Sequence, residues 1–204
     1  MLYRITPGMK RALAGQAPEL APYLAKMRRQ TLEYSGKLFP ALLESIVSQQ
    51  LAVRAAAAIF ARVEELLGEL SAEKLLEADP VKLRRCGLSQ RKIDYLRGVA
   101  LAEQEGRIDF DALAARPDAE VIAELTKLKG VGVWTAEMLL LFALGRPDVL
   151  SYSDLGIRNG IKLLYGLDAL TEEDFAVYRR RYAPYGTLAS LCLWEIKDGG
   201  LKRS

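Results

Sequence analysis

The chain contains no histidine. That absence removes every mechanism built on an imidazole: Ser-His-Asp and Cys-His nucleophilic catalysis, and zinc hydrolysis on an HExxH helix. Catalysis, if there is any, falls to carboxylates, lysines, hydroxyls or backbone groups. Cysteine is scarce. Cys86 and Cys192 stand far apart, which excludes the clustered thiolates of a zinc or iron–sulfur site. They read as a reduced, buried pair rather than a disulfide. Long apolar runs are missing as well: none reaches the roughly 20 residues of a membrane span. The opening MLYRITPGMKRAL lacks the apolar centre of a signal peptide. These absences predict a soluble, cytoplasmic protein. The net charge of +3 is too small to prove a polyanionic partner and permits one only if the basic groups cluster. No low-complexity segment and no fixed-period repeat is present.

Half of the 204 residues are hydrophobic, enough for one large domain or two small lobes. The apolar spacing is helical nearly throughout. Helices are predicted over 38–48, 52–67, 72–77, 80–86, 90–105, 118–127, 134–144, 155–165, 172–182 and 185–197, and no strand is predicted. Residues 134–144, WTAEMLLLFAL, are apolar almost all round, which predicts a buried helix. Thr171 and Asp174 have the spacing of a capping box.

Three segments carry chemistry. In Leu128-Lys129-Gly130-Val131-Gly132-Val133-Trp134-Thr135, two glycines allow a tight turn between helices. The amides of Gly130 and Gly132 would then face outward at a helix start, a geometry that binds a phosphate oxygen. The ordinary alternative is a plain helix–helix turn. In Ser151-Tyr152-Ser153-Asp154-Leu155-Gly156-Ile157-Arg158, Ser153 is expected to cap the next helix and Asp154 to sit in its first turn, where the dipole favours a negative charge. The ordinary reading makes Asp154 a capping acid and nothing more. In Ser48-Gln49-Gln50-Leu51, amides at a break between helices can reach base edges, or merely face solvent.

Taken together, LKGVGVWTAEMLLLFALGRPD followed by SDLGIRNGIKLLYG resembles the helix-hairpin-helix DNA glycosylase superfamily, most closely its 3-methyladenine glycosylase II branch. SIVSQQLAVRAAAAIF, CGLSQRKIDYLRGVA and PYGTLASLCLW add to the match. The resemblance covers about residues 38–197. It implies an all-α fold of two lobes, 36–145 and 1–35 plus 146–204, with a DNA cleft between them. It puts the catalytic acid at Asp154 and the base-pocket aromatics at Trp134 and Trp194. Met138, one turn after Trp134, would help line that pocket. The phosphate-holding amides fall on Gly130, Gly132 and Thr135. Gln50 falls where relatives fill the gap left by a flipped nucleotide, and Leu88 where they wedge the opposite strand. Carbonyls of Thr126, Leu128 and Val131 would hold a monovalent sodium or potassium ion, with no cofactor required. The partner would be damaged double-stranded DNA, met by a monomeric, nucleoid-associated protein.

The chain also departs from the family pattern. Ser153 stands where many relatives carry a second Asp, and Lys129 where Pro is common. Gly186 replaces a usual Arg, and Ala52 replaces a polar groove probe. These changes bear on substrate range. Bifunctional relatives carry at the position of Trp134 a lysine that forms a Schiff base. A tryptophan cannot, so the resemblance implies base removal that stops at an abasic site. Alkylated purines are cationic and leave easily. Extrusion costs a few kcal/mol, stacking on tryptophan returns about 0.5–2 kcal/mol, and Asp154 would stabilise an oxocarbenium-like sugar. Two other readings stand beside this one: a helix-hairpin-helix module that only holds DNA, and a glycosylase for uracil or mismatched bases.

Overall fold

The structure is a computed structural model, and it describes residues 1–200. In chain order its elements are β1 (Leu2–Arg4), α1 (Pro7–Gln16), a 3-10 turn (Pro18–Leu20), α2 (Ala21–Lys26), β2 (Thr31–Glu33), α3 (Leu38–Ser48), α4 (Val53–Leu67), α5 (Ala72–Glu77), α6 (Pro80–Arg85), α7 (Gln90–Gln104), α8 (Phe110–Ala114), α9 (Asp118–Leu125), α10 (Val133–Phe142), α11 (Leu155–Tyr165), α12 (Glu172–Tyr182) and α13 (Gly186–Lys197). The chain divides into two compact units, Ser35–Leu139 and Met1–Tyr34 with Leu140–Ser204. Residues 201–204 of the expected second lobe lie outside the described residues.

The helices start where short polar side chains stop the chain from continuing as a loop. Ser71, Asp79, Ser89 and Asp109 each accept a backbone N–H two or three residues ahead and so cap α5, α6, α7 and α8. Pro80 sits at the first position of α6, where its missing donor costs nothing. The Ser35–Leu139 unit closes around one apolar centre. Leu42, Leu43 and Ile46 of α3 are buried there with Leu75, Leu83, Ile93, Leu96, Phe110 and Leu125. Phe39 and Phe110 pack at 5.4 Å between ring centroids.

The other unit holds most of what the apolar spacing did not predict, the short α8 excepted. β1 and β2 pair antiparallel, Tyr3 opposite Leu32. Each strand has three residues, too few for alternation to register against the helical background. Pro7 at the first turn and Thr6 as cap define α1. The unit's core joins Leu13, Leu20 and Leu24 to Ile157, Ile161, Tyr182, Leu188 and Leu193. The capping box on α12 forms as the sequence predicts: Thr171 and Asp174 each bond the other's backbone amide.

α11 and α13 approach unusually closely. A Cβ at Gly160 would lie 2.5 Å from the Leu193 carbonyl oxygen, and one at Gly156 would lie 2.8 Å from Trp194 Cδ1. The two glycines are one helical turn apart and form the face on which α13 rests. Gly160→Ala should therefore cost about 1–3 kcal/mol, as overpacking does. Gly98→Ala, on an exposed position of α7 with open space for a Cβ, should instead stabilise by about 0.5–1 kcal/mol. Urea midpoints of the two variants check this pair. A Gly160→Ala chain as stable as its parent would show that the close approach is not needed.

Candidate active site

Asp154 lies at the end of a loop that descends from α10. Four side chains hold this loop to α12 and α13. The Asp148 carboxylate accepts the Gly186 amide at 2.9 Å, and Thr187 Oγ1 donates to the Arg146 carbonyl while accepting the Val149 amide at 3.1 Å. Ser190 Oγ donates to the Val149 carbonyl at 2.7 Å, and Arg179 donates to the Leu150 carbonyl at 2.9 Å. The segment PYGTLASLCLW thus has a mechanical explanation: its glycine, threonine and serine grip the loop, and its tryptophan reaches the acid.

Asp154 itself is the N-cap of α11 and Ser153 is not, contrary to the sequence expectation. Its Oδ1 accepts the Ile157 amide at 2.8 Å and the Trp194 indole N–H at 2.9 Å. The side chain thereby moves from the first helical turn to the position just before it, where the dipole and the orphan amides act on it together. Asp154 is 8% exposed. Gly156 makes the contact possible, because a Cβ there would meet both the indole and Asp154 Oδ1, the latter at 3.1 Å. A carboxylate held this way cannot swing to find a better partner. It presents a fixed negative charge in a partly dry setting, the arrangement that stabilises a developing cation.

Trp194 is half-buried, and it stacks on Phe142 with ring centroids 5.9 Å apart and planes 14° apart. Phe142 is itself 43% exposed. It is a site aromatic that the sequence reading passed over as part of a buried run. The last residue of that run's helix is where the apolar pattern becomes two-sided. Trp134, at the N-terminal turn of α10, is likewise 43% exposed. The expectation of a wholly buried 134–144 helix is corrected at both ends, while Met138, Leu139 and Leu140 between them are buried. Cys192 offers no alternative nucleophile: burial, with Glu195 adding to it, pushes its thiol up to about 12. Both cysteines are free and buried.

The Ser35–Leu139 unit carries the hairpin. The first helical bond of α10 runs from the Ala136 amide to the Gly132 carbonyl, so Gly132 and the amides of the first turn, Thr135 included, precede the hydrogen-bond ladder. Gly132 is exposed, whereas Thr135 is buried, which leaves only its backbone to act at the surface. Gly130 has φ +90, and the Tyr95 ring fills the place of a Cβ. Lys129 beside it is exposed and adds positive charge. The Ser48–Leu51 turn comes to the same place: Gln49 Nε2 donates to the Gly130 carbonyl at 3.0 Å. Gln50 is exposed with φ 59.

One expected role does not fit the structure. Leu88 cannot wedge a duplex as it stands, because it is 4% exposed and belongs to the core behind the α6–α7 turn. Gly186 departs from the family pattern for a local reason. It is buried, and a Cβ would lie 2.6 Å from Asp148 Oδ1, so the arginine common in relatives has no room here. Ala52 ends as the N-cap of α4 with no side-chain bond.

Comparison with known proteins identifies the family. A family model described as "HhH-GPD superfamily base excision DNA repair protein" matches residues 43–182, and the chain belongs to that superfamily. A relative named DNA-3-methyladenine glycosylase 1, from Schizosaccharomyces pombe, is 38% identical over 159 residues, covering 76% of this chain and 70% of its own length. A crystal structure of a DNA-3-methyladenine glycosidase from Bacillus halodurans superposes with a TM-score of 0.82 at 36% identity, over 97% of this chain and 92% of that one. The 3-methyladenine DNA glycosylase of S. pombe, solved in complex with abasic DNA, gives 0.78 at 30% identity, over 97% of this chain and 100% of that one.

The two hairpin glycines should separate on substitution. Gly132→Ala meets no other atom within 4 Å; it should leave stability within about 1 kcal/mol and weaken binding to damaged and undamaged duplex alike, since phosphates carry no sequence information. Gly130→Ala should lower stability as well, because both the dihedral and the Tyr95 ring oppose it. Thermal melts and duplex titrations check both. A Gly132→Ala loss confined to damaged duplex would assign the turn to base recognition.

Proposed function

We propose that the chain is a monofunctional DNA glycosylase that excises alkylated purines from duplex DNA in base excision repair. The observation that carries this reading is the Asp154 carboxylate, which caps α11 by accepting the Ile157 amide and is gripped by the Trp194 indole. A module that only held DNA would need the hairpin and no such acid. The names of the relatives supply the substrate class.

The chemistry is a hydrolysis in which the bond from C1′ to the base nitrogen breaks, a water oxygen bonds to C1′, and one proton of that water is released to solvent. The bond's electrons leave with the base, which is already cationic when alkylated at N3 or N7 and needs little protonation. The sugar passes through an oxocarbenium-like state, and the fixed charge of Asp154 lowers its energy. Asp154 also orients the incoming water. The nucleotide must first be extruded, at a few kcal/mol. The hairpin amides of Gly130, Gly132 and Thr135 hold the backbone, and Gln50 fills the vacated stack. Trp134 offers no amine, so no Schiff base forms and the strand stays whole. The carbonyls of Thr126, Leu128 and Val131 are neutral oxygen donors in a single turn, a set suited to an alkali ion. The Leu128 carbonyl already accepts the Val131 amide at 3.1 Å, which leaves it one lone pair for such an ion.

Two contacts support a second role for Trp194. Its N–H is spent on Asp154 and one ring face lies on Phe142, so it orients the acid as well as meeting a base. Trp194→Phe keeps an aromatic ring and removes only the donor. Loss of a hydrogen bond to a charged group costs about 1.5–3 kcal/mol. Base release should fall about 10- to 100-fold, by similar factors on cationic 7-methylguanine and neutral hypoxanthine. A loss on 7-methylguanine alone would restore charge recognition as the residue's main role.

Methylated duplex incubated with the chain should release free 3-methyladenine or 7-methylguanine. The duplex should stay unbroken until alkali is added, and borohydride should trap no adduct. Asp154→Asn should lower release by about two orders of magnitude, the scale of one lost electrostatic contact. Release of uracil without methylated purine, or a trapped adduct at neutral pH, would overturn the substrate class or the monofunctional reading.

A further inference from the structure

Gln50 is the one non-glycine residue with positive φ among the described residues. L side chains rarely adopt that conformation, and it persists only where the surroundings enforce it. The enforcing contacts come from the first turn of α7. Lys92 Nζ donates to the Val47 carbonyl at 2.6 Å and to the Gln49 carbonyl at 2.8 Å. These oxygens close α3, where carbonyls lack helical partners and the dipole is negative. Lys92 is half-buried. Arg91 Nη2 donates to Gln50 Oε1 at 3.3 Å. Ser89 caps α7 through the Lys92 amide at 3.3 Å, which fixes the direction in which these side chains leave the helix. One turn further on, the Tyr95 ring blocks any side chain at Gly130. Gln49 closes the circuit through the Gly130 carbonyl.

We infer that Lys92 is a positioning residue for DNA engagement: its ammonium ties the end of α3 to α7, holds Gln50 in its left-handed conformation, and keeps that residue in register with the phosphate-binding hairpin. The inference rests on the proposed roles of Gln50 and the hairpin. Burial, with Arg91 nearby, draws the Lys92 pKa below the usual lysine range. A lysine kept for solubility on an open face would not be desolvated in this way. Its charge is directed at carbonyls of its own chain, so it contributes to binding through Gln50 and not as a phosphate contact.

The test measures the affinity of the full chain for a duplex with a central tetrahydrofuran abasic analogue, divided by its affinity for the same duplex intact. A residue that only supports overall folding would move both affinities together and leave the ratio alone. Lys92→Met should lower the ratio about five- to tenfold, within the usual range of coupled contacts. Gln50→Ala should lower it similarly, and the double variant should lose no more than the larger single loss. Lys92→Arg, which can still donate to two carbonyls, should restore most of the ratio. Should Lys92→Met fail to fold, Lys92→Gln carries the same comparison with the same two outcomes. An unchanged ratio, or losses that multiply in the double variant, would overturn the inference. So would a parent chain with no preference for the abasic duplex. A coupled ratio in a parent chain that releases no base would leave the inference standing and remove the proposed activity instead.

Discussion

The hydrogen bond from the Trp194 indole to Asp154 Oδ1 is the contact on which the arrangement of its unit depends. It requires α11 and α13 to meet more closely than helices bearing ordinary side chains can. Gly156 and Gly160 provide that closeness, and a methyl group at either would strike α13. It also requires the chain to reach Asp154 at one fixed point, which the bond of the loop's Asp148 to the Gly186 amide and the bonds of Thr187 and Ser190 to the loop's carbonyls ensure. Few of these groups touch anything that could be substrate. They leave the carboxylate a single place to be, and in the proposed reaction no energy would be spent reorganising it as positive charge develops on a sugar.

A different economy governs the Ser35–Leu139 unit. There an unusual backbone dihedral falls on a non-glycine residue at Gln50 and a tightly hemmed positive φ falls on Gly130, at the two turns that would touch DNA. Side chains of α7 hold both turns. Residues placed this way need no direct contact with nucleic acid to decide how it is bound. The mild net charge of the chain fits the same pattern: backbone amides at a helix start recognise phosphate without a large basic surface.

The helical elements were legible because their apolar spacing is strong and their caps are ordinary: Ser71, Asp79, Ser89 and Thr171 all act as their positions suggest. The short strands were not legible, since three-residue pairs leave no period to detect; neither were α1 and α2 before residue 35, nor α8, which has five residues. Asp154, the hairpin and the Gln50 turn could be named from motif and spacing. Their supports could not. Nothing in the spacing of Asp148, Thr187 or Ser190 shows that a loop folds onto them, and Lys92 reads as one more surface charge. Leu88 failed for a related reason. A leucine next to a turn is as suited to a core as to a wedge, and only burial distinguishes the two. Gly186 seemed a loss when set against a family pattern. In its own surroundings it is required, because the Asp148 carboxylate occupies the space a side chain would need.

The central claim is that Asp154 supports bond cleavage and that Trp194 acts through it. Single-turnover base release from methylated duplex, compared among the parent, Asp154→Asn, Trp194→Phe and the double variant, measures this directly. If the claim is right, removing the indole N–H costs activity only while the carboxylate is present, and the double variant releases base at the rate of Asp154→Asn alone. Losses that multiply would contradict it, since they would show that the tryptophan contributes by a route that does not pass through the acid.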